Sequence, residues 1–413
     1  MKKTFGLLGE KLGHSFSPMI HGYLGDYTYS LFEVEPGHLD AFMAEKPFDG
    51  INVTIPYKQS VMPYCAELSE EAEKIGSVNT IIKSGDGVLH GYNTDYYGFR
   101  VMLERGGINP NGKKVLVLGD GGAARTVRFV LDRLGAREIV TVSRRGENNY
   151  GNIERHYDAE IIVNTTPVGM YPDNGRCPLP LSGFENLTGV ADLIYNPLRT
   201  KLLLDAGRMG LTCVNGLTML VAQAEMSSRL FLGNSPGAGR TSTDRIHDTI
   251  LEKIQNIALI GMPGCGKSTV CRVLARMTGR PFADCDDLVA AAAGKSIPEI
   301  FAGDGEDAFR RLETQTLTEE SRRSGIVIAT GGGVVTQPEN FDLLRQNSLI
   351  VYLKRELSEL VTDGRPLSGS QGVGILAKQR LPLYEAWSDF AVRVGAGPEQ
   401  TAVQILEELG VWS

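Results

Sequence analysis

Two segments of this chain share one pattern, and it restricts the possible folds more than any other feature. Each is a short β-branched or apolar run, then a glycine-rich turn, then a stretch with helical spacing. The first is Val115-Leu116-Val117-Leu118, followed by Gly119-Asp120-Gly121-Gly122-Ala123-Ala124. The second is Ile257-Ala258-Leu259-Ile260, followed by 261–267. A strand that feeds a helix N-terminus through glycines turns backbone N–H groups toward an anion, as at the nucleotide sites of parallel α/β sheets. The two segments are not copies of one another, so they predict two different nucleotide sites. The 413 residues leave room for two or three hydrophobic cores.

Composition and charge exclude several classes. At 42% hydrophobic and 22% charged residues, a wholly disordered chain is ruled out. A net charge of −7 with no lysine or arginine run lacks the basic face that nucleic acid requires. Met1-Lys2-Lys3 is followed by Gly6, Gly9 and Glu10 before any apolar stretch develops, so no signal peptide is expected, nor any membrane span further on. The six cysteines (65, 177, 213, 265, 271 and 285) show no Cys-x-x-Cys spacing. They read as free thiols of a reducing cytoplasm.

In the second site, Gly261-Met262-Pro263-Gly264-Cys265-Gly266-Lys267-Ser268 satisfies G-x-x-x-x-G-K-[ST] and precedes a helix expected over Lys267–Thr278. Backbone N–H groups of Gly264, Cys265, Gly266, Lys267, Ser268 and Thr269 would cradle the phosphates of ATP. The Lys267 ammonium would neutralise the β- and γ-phosphates, and the Ser268 hydroxyl would hold Mg²⁺. The run 282–286 reads as a strand whose Asp284 and Asp286 share a face, one able to assist Mg²⁺ and the other to accept a hydroxyl proton. Arg310 and Glu313 are three apart on a helix, a spacing that lets the carboxylate hold the guanidinium. Gly331-Gly332-Gly333 follows the strand 327–329 and offers a flat backbone to a small ring. Arg365-Pro366-Leu367 and Arg380-x-Pro382-x-Tyr384-x-x-Trp387 bring two more arginines.

In this order the motifs resemble those of shikimate kinases, over essentially all of 256–413. The resemblance implies that Arg310, Arg380 and Asp286 grip shikimate with Gly332 alongside. It also implies that Asp284 lies near Mg²⁺ and that Arg365 sits on a lid closing over ATP. The segment 367–376 is glycine- and serine-rich and short for that lid.

In the first site, Gly119-x-Gly121-x-x-Ala124 fits the dinucleotide fingerprint, with Gly122 and Ala123 inside it and Gly135 ending the helix. The next strand leads into Ser143-Arg144-Arg145, where two arginines suit the 2′-phosphate of NADP(H) better than the ribose hydroxyl of NAD. Only a short piece then remains before the strand at 161–163, so the sheet is expected to be trimmed there. Upstream lie His14-Ser15-Phe16-Ser17-Pro18 and a strand 50–55 that continues through Pro56 and Tyr57 to Lys58. Ser77-Val78-Asn79-Thr80 and Asn93-Thr94-Asp95 follow. Downstream come Asn164-Thr165-Thr166-Pro167, Tyr195-Asn196-Pro197-Leu198 and Asn215-Gly216-Leu217-Thr218-Met219-Leu220-x-x-Gln223.

Over about 1–254 this series resembles shikimate dehydrogenases. By that resemblance Ser15 and Ser17 bind the substrate carboxylate, and Thr54, Asn79, Tyr195 and Gln223 meet its ring hydroxyls. Lys58 and Asp95 form the catalytic pair, while Leu193, Gly216, Met219 and Glu70 fall near the nicotinamide. The chemistry agrees, since hydride delivery to a ketone builds negative charge on oxygen that an ammonium can stabilise and protonate.

Taken together, the resemblances imply an α/β chain in three parts. An α/β substrate-binding domain covers 1–100, with final helices over 217–254 packing back on it. A Rossmann-like NADP domain covers 101–216, and a P-loop domain of nucleoside-monophosphate-kinase type covers 256–413. Ser242 or Thr243 is the expected N-cap of the helix that closes the first part, before a boundary near Gln255-Asn256. The implied substrates are 3-dehydroshikimate and shikimate. Three alternatives stay open from sequence: one domain serving only as a binding module, a P-loop acting as a nucleotide-driven switch, and a quinate-active enzyme using NAD.

Overall fold

Three sheets organise the protein in the computed structural model, which describes residues 3–13, 15–233, 240–361 and 372–410, with 240–242 as backbone alone. The chain divides into two units, Met1–Leu251 and Glu252–Ser413. Among the described residues no helix is long and apolar enough to cross a membrane.

The first sheet contains β1 (Thr4–Gly9), β2 (Thr28–Glu33), β3 (Gly50–Val53), β4 (Glu67–Leu68), β5 (Thr80–Lys83) and β6 (Leu89–Tyr92), in the order β2-β1-β3-β5-β6-β4. It is mixed: β1 runs parallel to β2 and β3, whereas β5 runs antiparallel to β3 and β6. Leu8, Ile51, Val53, Ile81 and Leu89 build its core with Met43 and Phe48. All four residues of β3 are buried, which accounts for its unbroken apolar reading. The strand ends at Val53, short of the expected Ile55, and Lys58 stands on the turn that follows. Pro56 has no N–H with which to continue a ladder, and Tyr57 N instead donates to Thr54 O at 2.9 Å.

The second sheet is parallel throughout: β7 (Lys114–Leu118), β8 (Glu138–Val142), β9 (Ile161–Asn164), β10 (Gly189–Asp192) and β11 (Thr212–Asn215), in the order β11-β10-β9-β7-β8. The crossover from β8 to β9 has to pass β7, and its described helical content is one 3-10 turn, Ile153–His156. The helices Asp95–Arg105 and Leu217–Leu232 pack closely together. A Cβ on Gly98 would lie only 3.0 Å from the Cβ of Gln223. The helix Arg240–Ile254 starts ahead of Ser242 and Thr243, so neither is its N-cap. The Thr243 hydroxyl instead donates to the buried carboxylate of Glu225 on the helix Leu217–Leu232.

In the second unit, β12 (Asn256–Ile260), β13 (Phe282–Asp284), β14 (Val327–Ala329), β15 (Ser348–Lys354) and β16 (Phe390–Arg393) form a parallel sheet ordered β13-β14-β12-β15-β16. Its core joins Ile257, Leu259, Val270, Leu274, Ile328 and Val351 with Leu376, Tyr384 and Ile405. The strand β13 stops at Asp284. Cys285 opens the helix Cys285–Ala293, and the Asp284 carboxylate caps it by accepting from Asp286 N at 3.1 Å. The two carboxylates are therefore a cap and a first-turn residue, not neighbours on one strand face. A short polar side chain that can satisfy a free helix N–H favours this over extension of the strand.

Candidate active sites

In the first unit, chain ends from several elements meet around a cleft of about 450 Å³. Ser15, Ser17, Thr54, Lys58, Asn79, Asp95, Leu193, Tyr195, Gly216, Met219 and Gln223 all line it. Lys58 reaches it from the turn after β3, a turn fastened by Val78 N donating to Lys58 O at 2.8 Å. Asp95 is the first residue of its helix, where the N-terminal dipole favours a carboxylate. Lys58 Nζ donates to Asp95 Oδ2 at 2.6 Å, and the two side chains are 26% and 13% exposed. The ammonium therefore has a fixed direction and an open side toward the cleft.

Behind this pair stands a buried polar lattice. Asn79 Oδ1 accepts from Thr94 N at 2.6 Å, and Asn79 Nδ2 donates to Thr94 Oγ1 at 3.1 Å. Sequence reading missed Asn52, which also lines the cleft. Its Oδ1 accepts from the Tyr29 hydroxyl at 2.8 Å and its Nδ2 donates to Thr80 Oγ1 at 3.1 Å, so its amide is committed to holding β3 and β5 in place. Lys11, on the loop after β1, was likewise missed although it lines the cleft.

Leu193, Gly216 and Met219 come from the C-terminal end of the parallel sheet. Gly216 packs so tightly on Leu193 that any Cβ would overlap the Leu193 carbonyl oxygen. Asp192 anchors this edge. Its wholly buried carboxylate accepts from Asn164 Nδ2 at 3.0 Å, Ile194 N at 3.1 Å and Thr200 Oγ1 at 2.7 Å. Burial pushes it up to about 7 despite those three donors. Glu70 stands apart from the cleft lining, on the surface, where its Oε1 accepts from Lys74 at 2.6 Å and Arg133 at 2.8 Å.

The dinucleotide segment begins at Gly119, whose φ of +104° suits glycine and whose Cβ would sit 2.7 Å from Thr165 Oγ1. Gly121, Gly122 and Ala123 are exposed, and the helix Gly122–Arg133 has no side-chain cap. A Cβ at Gly121 or Gly122 would meet nothing within 4 Å. An open loop at a bare helix N-terminus fits a pyrophosphate. Gly119 N donates to Val142 O at 2.8 Å, so Ser143, Arg144 and Arg145 follow the neighbouring strand at the same edge. Ser143 is buried, whereas both arginines and Asp120 are exposed.

In the second unit, the loop after β12 turns on Gly261, Gly264 and Gly266, with φ of +148°, +82° and +102°. The helix Lys267–Thr278 follows without a side-chain cap, which fits a phosphate chain. Lys267 is buried, and its Nζ donates to Gly261 O at 2.9 Å and Met262 O at 3.2 Å. Cys265 is buried, and its N–H bonds Met262 O at 3.2 Å. Ser268 and Thr269 occupy the first turn of the helix, and Thr269 is exposed. Wholly buried Cys271 lies within electrostatic reach of both Asp284 and Lys267.

Gly331-Gly332-Gly333 is the hub of this site. A Cβ on Gly331 would strike the Glu313 carboxylate and stand 2.9 Å from Asp286 Oδ1. One on Gly332 would stand 2.6 Å from Pro263 Cγ in the phosphate loop, and one on Gly333 would overlap the Arg310 guanidinium. Gly332 O accepts from Arg380 Nη1 at 3.2 Å and from the Tyr384 hydroxyl. Arg310 is buried and held by Glu313 Oε2 at 2.7 Å and Glu306 Oε1 at 3.0 Å. Burial pushes the Glu313 carboxyl up and the Arg380 guanidinium down. Arg380 Nε and Glu313 Oε1 are buried with no hydrogen-bond partner among the described residues. An unmatched guanidinium donor fits an anionic oxygen, and an unmatched carboxylate oxygen fits a hydroxyl, so the pair suits a small ligand that carries both. Arg365 lies outside the described residues.

Comparison with known proteins agrees with both halves. The family model "Shikimate dehydrogenase substrate binding domain" matches residues 7–81, and "Shikimate kinase" matches residues 263–410. Shikimate dehydrogenase (NADP(+)) of Clostridium perfringens is 40% identical over 252 residues, covering 56% of this chain and 93% of the relative. A chorismate mutase/shikimate 5-dehydrogenase fusion protein from Clostridium acetobutylicum superposes with a TM-score of 0.56 at 39% identity, covering 60% of this chain and 97% of that one. Shikimate 5-dehydrogenase from Thermus thermophilus, in complex with NADP(H) and shikimate, gives a TM-score of 0.54 at 31% identity over 60% of this chain and 99% of that one. Through its first unit the chain belongs to the shikimate dehydrogenase family, and in its second it carries a shikimate kinase domain.

Proposed function

We propose that the chain performs two successive steps of one pathway: reduction of 3-dehydroshikimate to shikimate, then phosphorylation of shikimate at the hydroxyl just formed. Residues 1–100 with the helices of 217–254 bind the substrate of the first step, 101–216 bind NADPH, and 256–413 are the kinase. The enzyme works in the cytoplasm. When bound, NADPH supplies a hydride and MgATP a phosphoryl group.

The observation that carries the first half is the Lys58–Asp95 contact of 2.6 Å, opening into a cleft lined by Ser15, Ser17, Thr54, Asn79, Tyr195 and Gln223. Lys58 Nζ hydrogen-bonds the ketone oxygen, stabilises the charge that grows there and delivers the proton, while Asp95 keeps the ammonium aimed. Ser15 and Ser17 hold the carboxylate, and the amides and hydroxyls around the ring set its face. In the second half, Arg310 and Arg380 hold the shikimate carboxylate and Asp286 receives the proton of the attacking hydroxyl. Lys267 screens phosphate charge, and Ser268 and Asp284 serve the metal. A shared chain keeps the two activities equal in number, and the second step draws the reversible first step forward.

The test is product analysis after incubating the pure chain with 3-dehydroshikimate, NADPH, ATP and Mg²⁺. Shikimate 3-phosphate is the expected product, with NADPH preferred over NADH. Unphosphorylated shikimate would restrict the proposal to the first unit, and unconsumed NADPH would overturn the roles of Lys58 and Asp95.

A further inference from the structure

The charges of the dehydrogenase cleft do not balance among the described residues. Those lining it are Lys11, Lys58 and Asp95. Lys58 and Asp95 neutralise each other at 2.6 Å, which leaves the Lys11 ammonium as the one uncompensated charge among the lining residues, Glu33 lying outside that lining. Lys11 shares a loop with Ser15 and Ser17. That loop is folded tightly: Ser15 N donates to Leu12 O at 3.0 Å, Ser17 N to Ser15 Oγ at 3.2 Å, and Leu12 N to Glu33 Oε1 at 2.7 Å. The same loop ends in the helix Ser17–Leu24, whose N-cap residue Phe16 offers no side-chain bond to the free N–H groups. A cation, two hydroxyls and the positive end of a helix are thus carried by one short segment.

We propose that Lys11 is a specificity-determining residue that makes the cleft select a monoanionic ring substrate. Its ammonium draws the carboxylate to the Ser15–Ser17 end while Lys58 stays committed to the reacting oxygen. This rests on reading the cleft as a dehydrogenase site. A substrate with one negative charge brings the cleft to neutrality, whereas a neutral analogue leaves Lys11 without a partner. Lys11 is exposed, so its contribution is felt during approach and is screened by salt.

The test compares shikimate with its uncharged methyl ester as substrates for NADP⁺-linked oxidation by the full-length chain, at low and high salt. For the wild type, kcat/KM for shikimate should fall as salt rises, and kcat/KM for the ester should not. Lys11→Gln should lower the preference for shikimate over the ester about fivefold, with the loss in KM and with weaker salt dependence. Lys11→Arg should restore most of the preference. An unchanged preference in Lys11→Gln, or equal losses on both substrates, overturns the inference while leaving the dehydrogenase assignment standing. A wild-type chain that oxidises neither compound overturns both.

Discussion

Lys58 and Asp95 form the contact on which the proposed reduction turns. The lysine sits on a turn and the aspartate at a helix start, so two independent pieces of backbone fix the 2.6 Å approach. Replacing Lys58 by Met keeps much of the side-chain length but removes the proton and the charge. We expect kcat for NADPH-linked reduction to fall by about 10²–10⁴-fold, while phosphorylation of added shikimate continues at the wild-type rate. A Lys58→Met chain that still reduces the ketone at near wild-type kcat would show that the pair is a structural salt bridge. Each stands in a short motif visible in the sequence, and it was the resemblance carried by the ordered motifs that paired them. Lys11, Asn52 and Asp192 gave no such signal. Asp192 matters because Asn164 and Thr200 arrive from other segments to donate to it, and only the folded sheet brings those donors together.

Among the elements, the glycine turn after β14 does more than present a flat backbone. The three positions where side chains would begin point at Glu313, Asp286, Pro263 and Arg310, so the helix Glu306–Ser321, the start of the helix Cys285–Ala293 and the phosphate loop all close on it. A methyl group at Gly331 or Gly333 must displace a buried ion pair, and overpacking of that kind costs about 1–3 kcal/mol. We expect Gly331→Ala and Gly333→Ala each to reduce shikimate phosphorylation at least about tenfold and to raise KM for shikimate, leaving NADPH-linked reduction intact. Kinase kinetics unchanged in both variants would mean that Arg310 and Glu313 are not tied to the substrate. The strands and the glycine turns after β7 and β12 were readable from sequence because β-branched runs and positive-φ glycines such as Gly119, Gly261, Gly264 and Gly266 are local properties. The extent of β3 and the position of Asp286 were not, because each depends on a competition. A proline ends one ladder, and a capping carboxylate converts the end of β13 into a helix.

At the scale of the molecule, the first unit carries two sheets and the second unit one, each on its own core, and two buried groups of the first unit mark its stability with a pH dependence. Burial lowers the His21 imidazole to about 3 and raises the Asp192 carboxyl to about 7. Below 6.5 the unfolded histidine takes up a proton that the folded one refuses, so this group's contribution is lost as pH falls from 6.5 toward 3. Above about 4 the unfolded aspartate releases a proton that the folded one retains, so the other contribution is lost as pH rises from about 4 to 7. Each effect is on the order of a few kcal/mol, and between about 4 and 6.5 they oppose each other. Burial lowers His156 and His247 as well, which adds to the His21 side, so melting of the nucleotide-free first unit should change only gently with pH across that window and weaken as pH continues toward 7. Asp192→Asn keeps the shape of the protonated side chain and removes its titration, so its melting temperature should climb with pH up to about 6.5 and then level off. His21→Gln should shift the balance the other way, its melting temperature declining relative to the wild type from about pH 4.5 to 6.5. If both variants follow the wild-type profile, neither group is linked to folding, and the anchoring of the Leu193–Tyr195 edge by Asp192 must be independent of its charge.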